Sequence, residues 1–174
     1  MNFATIKPFD IANGEGVRVS LFVSGCRHGC KNCFNKEAWS FDYGNPYTSQ
    51  IEEQILKALA PDYISGLTLL GGEPFEPENQ PGLLQLVQKV KQIYPNKNIW
   101  CYSGFLLDYE LLGNSRAKTQ YTMPLLQHID ILVDGRFVEE LKDITLKFKG
   151  SKNQRIIDVQ QTLKQNEIVL YNLK

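Results

Sequence analysis

The chain has 174 residues, 43% of them hydrophobic and 22% charged, an ordinary globular composition that excludes disordered, collagenous and coiled-coil classes. Its 19 Lys and Arg balance 19 Asp and Glu, so there is no global field to hold a polyanion, and a dedicated nucleic-acid binder is not expected. The longest apolar runs, such as 129–133, fall far short of the ~20 residues of a membrane helix, and residues 1–10 lack the pattern of a signal peptide, so the expectation is a cytoplasmic protein without a membrane partner.

In chain order, Val17 to Ser24 alternates and is rich in β-branched residues, which predicts a strand running into Cys26. Ser49-Gln-Ile-Glu52 has the form of a capping box, and Ile51, Ile55, Ala58 and Leu59 follow at helical spacing. Leu67 to Leu70 reads as a short buried strand ending at Gly71-Gly72, and Leu83 to Tyr94 as an amphipathic helix. Ile99 to Tyr102 is the next strand, followed by a less regular helical region through Leu111 and Leu125, and then the strand Ile129 to Asp134. This βαβαβαβ order predicts an α/β protein with a parallel sheet, right-handed crossovers and helices outside. A closed eight-stranded barrel typically needs about 250 residues, so the sheet should be open or partial, within a single domain over residues 1–174. Function is expected at the carboxyl ends of its strands, where Cys26, Gly71, Ser103-Gly104 and Asp134-Gly135 fall.

Three of the four cysteines, Cys26, Cys30 and Cys33, lie within eight residues beside Gly25 and Gly29, a spacing suited to a metal centre rather than to crosslinks. Three thiolates can ligate three corners of a cubane iron-sulfur cluster and leave one iron open. Zinc is the rival, with His28 or Cys101 as its fourth ligand.

The CxxxCxxC loop and Gly71-Gly72-Glu73-Pro74 together resemble the signatures of the radical S-adenosylmethionine superfamily. Asp10 to Arg18, Cys33-Phe-Asn35-Lys36 with Trp39, Val133 to Phe137 and Gly150 to Arg155 are similar to the activating proteins of anaerobic (class III) ribonucleoside-triphosphate reductases within it. The resemblance runs from residue 10 to about 157, leaving an unmatched C-terminal extension from about 158. Glu15 stands where the family more often has proline, and Asn32 where the superfamily usually has an aromatic residue.

The resemblance implies a partial, open parallel α/β barrel of the radical S-adenosylmethionine type. Cys26, Cys30 and Cys33 would hold a 4Fe-4S cluster, with S-adenosylmethionine bound by Asn32, Cys33, Phe34, Gly71, Gly72, Glu73, Ser103 and Gly104. Asp134 would meet a ribose hydroxyl or a cation beside the methionine carboxylate. Gly71 and Gly72 would let the ligand's ammonium group approach bare backbone carbonyls.

The implied activity generates a glycyl radical on the anaerobic ribonucleoside-triphosphate reductase, which makes the reductase the protein substrate. A one-electron reductant, and a homodimer or a hetero-oligomer with the reductase, are implied as well. The alternatives are an activase for another glycyl-radical enzyme such as pyruvate formate-lyase, a non-catalytic iron-sulfur carrier and a zinc-binding module.

Beside this chemistry His28 is expected to be a solvated loop residue, and Cys101 a small buried thiol. Trp39, Trp100 and Phe137 read as packing, with Trp39 placed to cover the site. The basic residues Lys142, Lys147, Lys149, Lys152, Arg155 and Lys164 read as a solvated face or as a docking patch for an acidic partner.

Overall fold

The computed structural model describes residues 1–173. Its elements are β1 (Asn2–Asp10), β2 (Val17–Val23), β3 (Asn45–Pro46), α1 (Ser49–Leu59), β4 (Ile64–Gly71), α2 (Gln80–Ile93), β5 (Asn98–Ser103), α3 (Thr122–Leu126), β6 (Ile131–Asp134), β7 (Arg155–Asp158) and α4 (Val159–Gln165). Seven strands form one open sheet in the order β3-β1-β2-β4-β5-β6-β7. The four expected strands are its centre, β2, β4, β5 and β6, all parallel.

The three edge strands were not expected, and all are antiparallel. Each escapes hydrophobic patterning for a physical reason. β1 buries only Phe3 and Asp10, so it carries almost no apolar alternation. β3 is two exposed residues, and β7 is four residues with a buried pair at its centre. The purely parallel sheet is therefore corrected to a parallel core with antiparallel edges.

Alternation along the central strands divides the core into two faces. Val19, Leu21, Val23, Leu67, Leu69, Ile99, Cys101 and Leu132 pack with Ile55 and Leu59 of α1 and with Leu83, Leu86, Val87 and Val90 of α2. The opposite face carries Trp100, Ile131, Val133 and Ile156, covered by Phe148 and by the C-terminal Tyr171 and Leu173. Tyr171 and Phe148 each meet the Trp100 ring edge-on, at 5.8 and 5.5 Å between centroids. Beneath them Arg18 is fully buried, its guanidinium bound to Thr68 Oγ1 and to the carbonyls of Leu67 and Asn98. Burial holds its pKa down to about 10.

The N-terminus of α1 lies one residue from the expected box. Thr48, not Ser49, is the cap, its hydroxyl accepting from Ile51 N, while Glu52 turns to Lys89 and Tyr47. The irregular region after β5 resolves into a π-helical turn at Leu107–Leu111 and the short α3. Among the described residues no helix is long and apolar enough to cross a membrane.

Register brings the strand ends level. Val23 pairs with Gly71, Leu69 with Cys101 and Ser103 with Asp134, so the loops after all four central strands leave the sheet at one rim.

Candidate iron-sulfur site

The rim opens on a cavity of about 500 Å³, whose lining includes Cys26, Cys30 and Cys33 together with Gly71, Gly72 and Tyr102. All three cysteines are free and partly buried. Their loop is laid down by backbone bonds on either side: Gly25 N donates to Ala38 O at 2.8 Å, Cys26 N to Trp39 O at 3.1 Å, and Glu73 N to Gly25 O at 2.9 Å. Burial pushes the Cys26 thiol up to about 12, and Glu73 and Glu76 add to the shift. Cys30 is also raised, by burial first and Cys33 second. Both shifts favour the neutral thiol at Cys26 and Cys30, so loading a metal centre there would release protons.

The donor set decides between the two metal readings. Among the described residues no three His, Cys, Asp or Glu side chains converge on a single ion. Neither candidate fourth ligand for zinc is available: Cys101 is fully buried in β5, and the His28 ring nitrogens are taken by Glu73 and Arg136. Three thiols and no fourth, spread along the wall of one cavity, suit a cubane, whose ligands surround a four-iron body rather than a point.

Of the other expected binding residues, Asn32, Phe34, Gly71, Gly72, Glu73, Ser103 and Gly104 all line this cavity. Phe34 is 97% exposed, an apolar ring with nothing over it. Asn32 stands in the left-handed region at φ 54°. Glu73 is fully buried rather than open to a ligand, and its carboxylate joins three loops: it accepts from Phe75 N at 2.8 Å, Ser103 Oγ at 2.9 Å and Gly104 N at 2.7 Å, and lies 2.8 Å from His28 Nε2.

Asp134 does not share the cavity lining. It is fully buried, and its carboxylate accepts from Arg155 Nε and Nη2 and from Leu107 N, which leaves it no oxygen turned to a ligand.

The glycines of the β4 loop have a reason the sequence reading lacked. A Cβ on Gly72 would come within 2.6 Å of Gly25 O and 2.8 Å of Ala38 O, and one on Gly71 within 2.5 Å of Val23 O. Gly72 admits the backbone of the cysteine loop itself, and Gly71 that of the end of β2.

Two residues of the site were missed. His28, expected in solvent, has a side chain only 3% exposed. Glu76 is fully buried, accepting from Arg27 N and both Arg27 and Arg116 guanidinium groups. Burial raises its carboxyl, but the bonds from Arg116 and Arg27 outweigh this and leave it below the usual carboxylate range. Its spacing of three from Glu73, just before α2, was the available signal. Trp39 does line the cavity, and Cys101 is the buried thiol expected. Arg155 leaves the basic patch, since it is bound to Asp134 and Asp108.

Residues 12–157 match the family model described as a 4Fe-4S single cluster domain, which makes this an iron-sulfur cluster domain whose rim of loops gathers three cysteines. Curated relatives from Haemophilus influenzae and Vibrio cholerae are each 44% identical over 158 residues, covering 90% of this chain and 97% of the relative. One from Enterobacteria phage T4 is 35% identical over 156 residues, covering 90% and 93%. All three are named anaerobic ribonucleoside-triphosphate reductase-activating protein, and the chain belongs to that family.

Proposed function

We propose that this chain is a radical S-adenosylmethionine activase for the anaerobic ribonucleoside-triphosphate reductase, its open sheet serving as the partial barrel of that superfamily. The observation that carries the reading is the convergence of the Cys26, Cys30 and Cys33 loop with Gly71-Gly72-Glu73 on one cavity, in a chain whose relatives bear the activating-protein name. The three cysteines would hold the cluster. A cluster held there would supply the one-electron chemistry, fed by a one-electron reductant, for reductive cleavage of S-adenosylmethionine to methionine and a 5'-deoxyadenosyl group able to take a hydrogen atom from a glycine Cα of the reductase.

The residues of the chain position this chemistry and keep water from it. The Gly71-Gly72 backbone and Ser103-Gly104 form the wall for the ligand, and the uncovered ring of Phe34 offers a face for its adenine. Asn32, at its left-handed turn, brings Cys33 and Phe34 to the mouth of the cavity. Asp134 acts at one remove, fixing Arg155 and the start of the π-helical turn.

The open side of the sheet suits a substrate as large as a segment of a folded protein, and glycine, lacking a side chain, is the residue such a segment can present most closely. Lys142 and Lys149 line the same cavity and would meet an acidic segment of the reductase.

The test is anaerobic reconstitution with iron and sulfide, then reduction with S-adenosylmethionine and the reductase present. Stoichiometric 5'-deoxyadenosine and an EPR doublet on the reductase, lost when its target glycine is replaced by alanine, are expected. A radical-free reductase beside consumption of a small molecule would overturn the activase reading.

A further inference from the structure

His28 sits in the cysteine loop, yet its contacts belong to the other three loops of the rim. Nε2 lies 2.8 Å from Glu73 Oε2, after β4. Nδ1 accepts from Arg136 Nε at 3.0 Å, after β6, and faces Arg116 Nη2 at 3.4 Å. A guanidinium can only donate, so Nδ1 is the acceptor, which assigns the ring proton to Nε2 and makes it the donor to Glu73. Glu73 passes the connection on to Ser103 Oγ and Gly104 N, after β5.

The ring is also seated by shape. It meets Phe105 edge-on at 4.4 Å between centroids, and a Cβ on Gly104 would lie 2.5 Å from it. Gly104 is therefore glycine because the imidazole occupies the space beside it.

From this we infer that His28 is a positioning residue. It holds the loop that carries Cys26, Cys30 and Cys33 in register with Gly71–Glu73 and Ser103–Gly104, so that the metal ligands and the S-adenosylmethionine wall form one rigid body. Both nitrogens being occupied, it acts through the loops it joins. The inference rests on the reading of this cavity given under Proposed function. The position asks for an acceptor on one edge, a donor on the other and a flat body between, which histidine alone supplies; glutamine keeps the donor to Glu73.

The experiment uses the full chain, reconstituted with iron and sulfide, as His28→Ala, His28→Gln and His28→Phe, the last keeping a flat ring but neither hydrogen bond. Iron content, thermal melting, S-adenosylmethionine affinity by equilibrium dialysis and the EPR spectrum of the reduced cluster with and without S-adenosylmethionine are read in each. In His28→Ala and His28→Phe, affinity should fall about tenfold, as for groups that orient metal ligands, and the change S-adenosylmethionine makes in the EPR spectrum should be lost. His28→Gln should stay within about threefold of the parent, since it keeps the bond to Glu73.

A merely structural role would lower melting temperature and leave affinity and spectrum unchanged; that result in His28→Ala overturns the inference. Should the alanine variant fail to fold, His28→Phe against His28→Gln carries the same comparison, and equal affinities overturn it. A parent chain that binds neither cluster nor S-adenosylmethionine defeats the reading of the site instead, so the two failures are distinguishable.

Discussion

At the scale of single residues, the ligand count makes the sharpest demand. Cys26→Ala, Cys30→Ala and Cys33→Ala should each abolish 5'-deoxyadenosine formation. Cys101→Ala, which removes a fully buried sulfur from β5, should keep its iron and lose about 1 kcal/mol of stability. Loss of cluster iron from the Cys101 variant would remove the open-iron model. Gly72→Val is a second case, in which the structure changes the expected outcome. A side chain directed at Gly25 O and Ala38 O cannot leave the cysteine loop in place, so the variant should lose both its iron and at least ~1–3 kcal/mol, the usual cost of overpacking. Survival of the cluster's visible absorption with only weakened S-adenosylmethionine binding would restore the simpler view that Gly72 merely makes room for a ligand.

At the scale of elements, Arg155 opens the edge strand β7 and joins it to β6 and to the π-helical turn, through Asp134 and Asp108 respectively. Arg155→Met leaves the fully buried Asp134 carboxylate uncompensated and should cost about 3 kcal/mol in chemical denaturation at neutral pH. The hydrogen bonds from Arg155 hold the Asp108 carboxyl below the usual range. A depressed carboxyl gives stability that is complete above its unfolded pKa of about 3.9 and is lost as pH falls through the folded value beneath it. The parent's stability should accordingly fall more steeply than that of Arg155→Met below about pH 4. Parallel profiles would show that the ion pair contributes nothing.

The same junction shows what was readable in advance. The four central strands, α1 and α2 announced themselves because each buries a full apolar face. Arg155 read as one of a run of surface cations, because its partners, Asp108 and Asp134, lie 47 and 21 residues away, a distance across which charge patterning has no reach. His28 was misread for the same reason, with Glu73 45 residues distant and Arg136 108. The cysteine spacing and the Gly-Gly-Glu-Pro run were legible because their chemistry is local.

At the scale of the whole molecule, Tyr171 and Leu173 close the face of the sheet that carries Trp100. Val169 N donates to Thr162 Oγ1, Tyr171 N to Ile156 O, and Tyr171 Oη to Glu15 at 2.7 Å. Glu15, the departure at the N-terminal turn, thereby meets the extension that the family pattern does not cover. Truncation after Asn166 should bare Trp100, shift its fluorescence to the red and cost roughly 2 kcal/mol, the worth of one buried aromatic side chain. An unchanged emission maximum would show that the tail is only laid against the surface.

The strand order has a further consequence, for the growing chain on the ribosome. Leaving aside the two residues of β3, each strand of the sheet pairs with the one synthesised just before it, from β1 across to β7. Domains begin to organise from the N-terminal side during synthesis, and here no later strand has to be inserted between two already joined. The cysteine loop and the Gly-Gly-Glu-Pro loop emerge together with the strands that fix them, while Tyr171 arrives last of the groups on Trp100. A nascent chain can therefore assemble its rim while the Trp100 face is still uncovered, and closes that face only once Tyr171 and Leu173 have followed.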